Sequence, residues 1–237
     1  MIFKNGYKAV FFDLDGTLRH SVPQASDVFN DKTQELGFSL TDEVKRSSGR
    51  WEHQYWASSD LLREDAEKFK DDEDGFWGNY TERRLKSLGA NPAQIQALAP
   101  PLSDFMHEYR HEDFVPPELH EILPSLRTAG FKLGVLSNRT QPFADQMVEL
   151  KLADYFEFIK AAGELGAWKP NPQVFTPLLE AFELAPEESV YVGDNYYADV
   201  VGARAAGITP ILYDPRELFP DADCARITSF TELLEVL

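Results

Sequence analysis

Residues 7–18 read YKAVFFDLDGTL, and the fold follows from this stretch. Ala9, Val10, Phe11 and Phe12 form a fully apolar run, too short for a helix and rich in strand-forming side chains. A strand without alternation is buried on both faces, as in parallel sheets covered by helices on either side. The run stops at two carboxylates, Asp13 and Asp15, followed by Gly16 and Thr17. Open α/β sheets bind ligands just outside the carboxyl ends of their strands, so the end of this strand is where chemistry is expected.

Working outward, four more short runs read as buried strands, over 131–137, 156–161, 189–193 and 208–213; the first strand covers 7–13. Helical patterns alternate with them over 118–129, 142–150, 172–182, 197–206 and 230–236. This alternation predicts an α/β, doubly wound parallel sheet. The stretch between the first strand and Val115 is different, with helical patterns over 26–36, 41–48, 61–69, 76–88 and 92–110. It reads as an α-helical insertion. The expected organisation is an α/β core over 1–19 and 115–237 and a helical domain over 20–114. Val115-Pro116-Pro117 suits the return crossing, since Pro cannot continue a helix. Two crossings at one edge suggest a lid that hinges.

The chain has 237 residues, enough for one large domain or two modest ones. Lys and Arg total 23 against 40 Asp and Glu, a formal net charge of −17. Such a chain repels nucleic-acid backbones and anionic membranes, whose affinity comes from Lys and Arg. A small anionic substrate stays open to it, because a local cation can outweigh the global charge. Cys224 is the only cysteine, which excludes an intrachain disulfide and cysteine metal clusters. Residues 1–15 lack the apolar core and cleavage site of a secretory leader, and no apolar run approaches the ~20 residues of a membrane span. A cytoplasmic protein is expected, as monomer or homodimer, with a small-molecule partner and no nucleic acid or membrane.

The strand ends carry the candidate chemistry. Asp13 and Asp15 follow the first strand, Ser137-Asn138 ends the second, and Gly193-Asp194 with Asp199 follows the fourth. Three carboxylates meeting at one edge repel unless a cation sits among them. Oxygen ligands suit Mg2+, which takes one or two carboxylates and a substrate phosphate. A carboxylate can act as nucleophile, and a second one two residues on can serve as acid and base. Gly16 permits close backbone approach, Ser137 and Asn138 offer donors, and Lys169 offers a fixed positive charge for a transferring phosphoryl group. Each motif also has an ordinary reading: Asp-Gly-Thr as a turn, Ser137-Asn138 or Asp194 and Asp199 as helix caps, Lys169-Pro170 as an exposed loop. Their joint occurrence at three strand ends favours the functional reading.

Taken as a set, DLDGT (13–17), Ser137-Asn138, Lys169-Pro170 and Gly193-Asp194 through Asp199 resemble the motifs of the haloacid dehalogenase-like hydrolase superfamily. The insertion resembles the cap of its C1 subgroup. The resemblance implies a magnesium-dependent phosphatase that hydrolyses a small phosphorylated metabolite through an aspartyl-phosphate. It implies Asp13 as nucleophile and metal ligand, and Asp15 as general acid and base with its main-chain carbonyl on the metal. Asp194 would be the third protein ligand. Thr17, Ser137, Asn138 and Lys169 would hold the phosphate, and Asp199 would orient Lys169 or a metal-bound water. Asp15 speaks against dehalogenation, which expels halide and needs no proton. A phosphomutase shares every core residue and remains the nearest alternative, ahead of a dehalogenase or a non-catalytic binding protein. A phosphonatase would need a cap lysine, for which Lys32 and Lys45 qualify by location only.

Several features fit less well. Arg19-His20 replaces the short aliphatic or acidic pair common in the superfamily, and either faces substrate or starts the linker. Pro177 falls inside a predicted helix. Trp51, Tyr55, Trp56, Phe76, Trp77 and Tyr80 read as the helical domain's own core, or as a wall against the leaving group, with Arg50 and His53 beside it. His107 and His111 have i,i+4 spacing on a predicted helix but read as a solvated face. The acidic stretch 60–74 reads as a solvated helix and loop.

Overall fold

The computed structural model describes residues 6–237. Residues 1–5, which open both the leader reading and the expected core segment, lie outside the described residues. The strands are β1 (Ala9–Phe12), β2 (His20–Val22), β3 (Glu112–Phe114), β4 (Lys132–Ser137), β5 (Phe158–Ala161), β6 (Ser189–Gly193), β7 (Thr209–Tyr213) and β8 (Ala225–Ile227). Six form one sheet in the order β5-β4-β1-β6-β7-β8, and β2 and β3, at the two crossings, form a two-stranded sheet. Neighbours in the large sheet run parallel throughout. Numbered within that sheet, the order is 3-2-1-4-5-6, the doubly wound arrangement whose ligand crevice lies where the order reverses, beside β1.

β1 shows why the run had to be apolar on both faces. Val10 and Phe12 point into one core with Leu123, Leu126, Val135, Val192 and Phe230. Ala9 and Phe11 point into the other with Phe175, Leu178, Phe182 and Tyr191. All four are fully buried. The helices Leu119–Thr128 and Ala144–Glu149 contribute to the first core, and Thr176–Phe182 and Val201–Ala205 to the second.

Several predicted elements change in detail. The helix expected over 172–182 is a 3-10 turn, Pro172–Phe175, followed by the helix Thr176–Phe182. Pro177 then stands in a first turn, where its missing N–H removes no helical bond. The start of the helix expected over 197–206 is a π-turn, Tyr196–Val200. β8 escapes a hydrophobicity reading because it is only Ala-Arg-Ile.

The described chain divides into two compact units: the chain up to His20 with Asp113–Leu237, and Ser21–Glu112. His20, Asp113 and Phe114, expected on the helical side, belong to the α/β unit. The helical unit contains α1 (Ala25–Glu35), α2 (Asp42–Trp56), α3 (Asp60–Lys68), α4 (Glu73–Ser87) and α5 (Pro92–His107). Most of its helix starts are capped by local side chains, and α4 starts at Glu73 rather than the expected 76. Thr41, Ser59 and Asp72 cap α2, α3 and α4 through their side chains, and Asn91 with Gln94 forms a capping box that spans Pro92. Phe29, Leu85, Leu88, Ala99 and Leu102 make its core. Tyr55 and Tyr80 are buried in the aromatic cluster, whereas Trp56 and Trp77 are 37% and 47% exposed. Arg50, Trp51 and His53 lie on α2. Lys32 pairs with Glu35 and covers the Phe105 ring. α5 ends at His107, so His111 is off the helix, and both histidines are exposed. Within 60–74, Asp65 is buried against Tyr55 and Arg83.

Candidate active site

Asp13 continues β1 by one residue, its N–H donating to the Val192 carbonyl at 2.9 Å. Its side chain is buried, and one oxygen, Oδ1, accepts from Lys169 Nζ at 2.6 Å. Lys169 lies 156 residues away in sequence and is 1% exposed. Its ammonium also donates to Asp199 Oδ1 at 2.7 Å and to the Tyr191 hydroxyl at 2.9 Å. Three protons therefore meet three acceptors. Tyr191 in turn donates to the Leu136 carbonyl at 2.6 Å, which fixes its hydroxyl.

The backbone of Lys169 is held equally firmly. Asn138 Nδ2 donates to its carbonyl at 2.9 Å, and its N–H donates to Asn138 Oδ1 at 2.7 Å. The sequence reading puts Asn138 among the phosphate-holding groups; here its amide clamps the main chain of Lys169 and so positions the cation. Ser137, the last residue of β4, is 2% exposed. Thr17 is fully buried, and its hydroxyl faces Asp194 Oδ1 at 3.5 Å, the outer limit of a hydrogen bond.

Asp199 is buried and uses both oxygens, Oδ1 on Lys169 and Oδ2 on the Asn195 N–H at 2.9 Å. The π-turn supports this, since Asp199 N–H donates back to the Asn195 carbonyl at 2.7 Å. Single π-turns are common at functional sites. Oxygens of Asp13, Asp194 and Asp199 lie within 4.8 Å of one another, the spacing of a shared cation. Gly16 makes room for this group. Its φ of +87° favours glycine, and a Cβ there would run into the Asp194 carboxylate.

The electrostatics follow from this crowding. Burial pushes the Asp13 carboxyl up; Lys169 pulls it down, Asp199 and Asp15 push it up again, and it settles at about 7. Burial, then the charges of Asp13 and Asp199, hold Asp194 well above the usual carboxylate range. Burial disfavours the Lys169 cation, but Asp13 and Asp199 outweigh it and raise its pKa further. One buried cation thus faces three acidic groups, and the donor set is all oxygen. A hard divalent cation fits this imbalance. With Asp199 taken up by Lys169 and Asn195, Asp13 and Asp194 are the carboxylates available to it.

Asp15 is placed differently. Its carboxylate takes two parallel bonds from Arg139, Nε to Oδ2 at 2.6 Å and Nη2 to Oδ1 at 2.7 Å. Arg19 Nη1 adds a third at 3.0 Å. Any metal contact of Asp15 is left to its main-chain carbonyl. Arg19 also grips Asp113 of β3, and Arg139 bonds Gln146, whose Nε2 reaches Asp113 at 2.5 Å. His20 packs between Tyr213 and Phe114. Sequence reasoning missed Arg139 and Tyr191. The first follows Ser137-Asn138 directly at a strand end and could have been found by position; the second sits mid-strand and reads as core.

The family model described as a haloacid dehalogenase-like hydrolase matches residues 7–207. The chain belongs to that family. It is 30% identical over 214 residues to a ribulose-1,5-bisphosphate 5-phosphatase of Halopiger xanaduensis, covering 88% of this chain and 85% of that one. It is 35% identical over 149 residues to a phosphoserine phosphatase of Thermus thermophilus, where the match spans 61% of this chain but only 58% of the relative. Among solved structures, a 2-haloacid dehalogenase from Pseudomonas syringae pv. Tomato superposes with a TM-score of 0.56 at 30% identity over 97% of both chains. As a family member the chain is a hydrolase. No helix among the described residues is long and apolar enough to cross a membrane.

Proposed function

We propose that this hydrolase is a magnesium-dependent phosphatase acting on a small phosphomonoester through an aspartyl-phosphate on Asp13. The observation that carries the reading is the buried Asp13–Lys169–Asp199 chain beside Asp194, with Asp15 two residues on from the nucleophile. A dehalogenase has no use for Asp15, because halide leaves without a proton. The phosphatases among the relatives support the same choice.

Asp13 and Asp194, with the Asp15 carbonyl, would hold the ion. Bound there, Mg2+ would neutralise the carboxylates and draw the phosphate dianion towards them. The protein's own groups then divide the work. An Asp13 oxygen attacks phosphorus while the bond to the leaving oxygen breaks, and the Asp15 carboxyl gives that oxygen its proton. Asp15, now a carboxylate, takes a proton from water as the water oxygen attacks phosphorus and the Asp13–phosphorus bond breaks. Phosphate and free Asp13 result. Ser137 and Thr17 orient the phosphoryl oxygens, the fixed positive charge of Lys169 offsets theirs, and Asp199, Tyr191 and Asn138 hold Lys169 in place. The helical unit acts as the cap and contributes to leaving-group selectivity. The protein works in the cytoplasm as a monomer or homodimer.

The test is p-nitrophenyl phosphate hydrolysis with and without Mg2+, alongside Asp13→Asn and Asp15→Asn. Turnover should require Mg2+ and vanish in Asp13→Asn. Halide release from a haloacid without Mg2+, or bisphosphate-activated isomerisation with no net phosphate release, would replace this reading with one of its rivals.

A further inference from the structure

Arg139 has no part in the chemistry just described, yet it is built into the site with care. It follows Asn138, whose side chain clamps Lys169. Its own carbonyl accepts from the Gly163 N–H at 3.0 Å. Gly163 must be glycine, because a Cβ would strike the Thr140 backbone. The main chain carrying Arg139 is thus locked to the frame that carries Lys169.

The guanidinium is locked as well. Nη1 bonds Gln146, Gln146 bonds Asp113, and the Phe143 ring lies 5.5 Å beneath. The remaining edge, Nε and Nη2, forms the two-pronged face that fits a carboxylate. That face is filled by the Asp15 carboxylate, at 2.6 and 2.7 Å. Burial disfavours the Arg139 charge, and Asp15, Asp13 and Asp113 more than restore it, so the guanidinium stands within electrostatic reach of the nucleophile. It is 27% exposed and so open to a ligand. Of the other cations at the site, Lys169 is sealed among its acceptors, and Arg19, its side chain 12% exposed, is held between Asp15 and Asp113. On a chain of net charge −17, Arg139 is the cation that an arriving anion can reach.

The geometry points to Arg139 as a specificity residue that binds a carboxylate on the substrate's leaving group. The inference rests on the phosphatase reading and names its substrate class: a phosphomonoester of a small hydroxy acid. Asp15 occupies the receptor until such a substrate arrives. The substrate carboxylate then takes the Nε and Nη2 prongs, and Asp15 keeps only its 3.0 Å bond to Arg19. Freed from the fork, Asp15 takes up a proton from solvent, which it then gives to the leaving oxygen. A leaving group without the carboxylate leaves Asp15 on Arg139 and is processed poorly.

The experiment compares carboxymethyl phosphate with ethyl phosphate, which differ by a carboxylate in place of a methyl, in wild type, Arg139→Ala and Arg139→Lys. Wild type should prefer carboxymethyl phosphate. Arg139→Ala should reduce the ratio of the two kcat/KM values by roughly ten- to a hundredfold, the range for one charge-assisted pair, with KM for the acid carrying much of the change. Arg139→Lys should recover part of the ratio, since it keeps the charge and loses the fork. Equal losses on both substrates would make Arg139 a mere holder of Asp15 and overturn the inference, as would a wild type with no preference. If wild type hydrolyses neither ester nor p-nitrophenyl phosphate, the phosphatase reading is what fails. The inference is then decided by calorimetric binding of phosphonoacetate against ethylphosphonate. Tighter binding of the acid that is lost in Arg139→Ala supports it, and equal binding by wild type overturns it.

Discussion

Replacing Asp13 by Asn should abolish turnover and stabilise the metal-free fold. The Asp13 carboxyl moves from 3.8 to about 7 on folding, a net figure that already includes the attraction of Lys169. At about 1.4 kcal/mol per pH unit, the ionised group is disfavoured in the fold by about 4 kcal/mol. Between about pH 4 and pH 7 the folded chain binds more protons than the unfolded one, so stability falls as pH rises through that window. Asp13→Asn removes the charge and keeps the shape. In chelator at about pH 8 it should exceed wild type by about 2–4 kcal/mol, the lower end allowing for the charge that Asp194 shares. Near pH 4 the difference should fall below about 1 kcal/mol. Urea denaturation with matched slopes reads both values. Mg2+ should then close the gap from the wild-type side, because it binds the folded wild type more tightly. An Asp13→Asn protein no more stable than wild type in chelator at the higher pH would refute the argument. The Asp13–Lys169 attraction would then outweigh the crowding of carboxylates.

Other changes should be equally readable. Gly16→Ala forces a side chain into the Asp194 carboxylate at a φ of +87°; Mg2+ affinity by calorimetry should weaken by at least about tenfold, the size of effect expected when a ligand is displaced. Asn138→Ala removes both bonds to the Lys169 backbone. It should cost about 1–3 kcal/mol, seen as a Tm lowered by roughly 2–10 °C, with kcat falling more than KM rises. An unchanged Tm would mean that the clamp is dispensable.

Holding a reactive centre in this way gives each neighbour of the nucleophile a separate duty. Tyr191 and Asp199 are not placed to meet a substrate directly; they fix where the Lys169 ammonium stands. Removing the one cation from this cluster is far more damaging than removing one of its carboxylates, because it strands the buried charges of Asp13 and Asp199. Lys169→Met should therefore both abolish activity and destabilise the fold by about 3–5 kcal/mol at neutral pH, measured by denaturation.

The sequence by itself determined a good deal. A four-residue apolar run before two aspartates could only be a strand buried on both faces, so the parallel sheet and its chemical edge were legible from β1. Strand ends marked Asp13, Asp15, Ser137, Asp194 and Asp199, because polar and acidic residues at the end of an apolar run have no packing purpose, and Lys169 was marked as a fixed positive charge beside Pro170. Helical patterns located the helices of the inserted unit but not all of their starts: α4 begins at Glu73, three residues before the expected 76. What tertiary structure decided was pairing. Lys169 meets Asp13 across 156 residues, and Arg139 meets Asp15 across 124; no local pattern encodes which distant partner a side chain will find. The same holds for Asn138, whose residue type suits a phosphate donor and a backbone clamp equally well. Tyr191 was hidden because its ring satisfies the core pattern while its hydroxyl serves the site. Periodicity reports which face of an element is buried; only the packed sheet decides which polar atoms meet once it is.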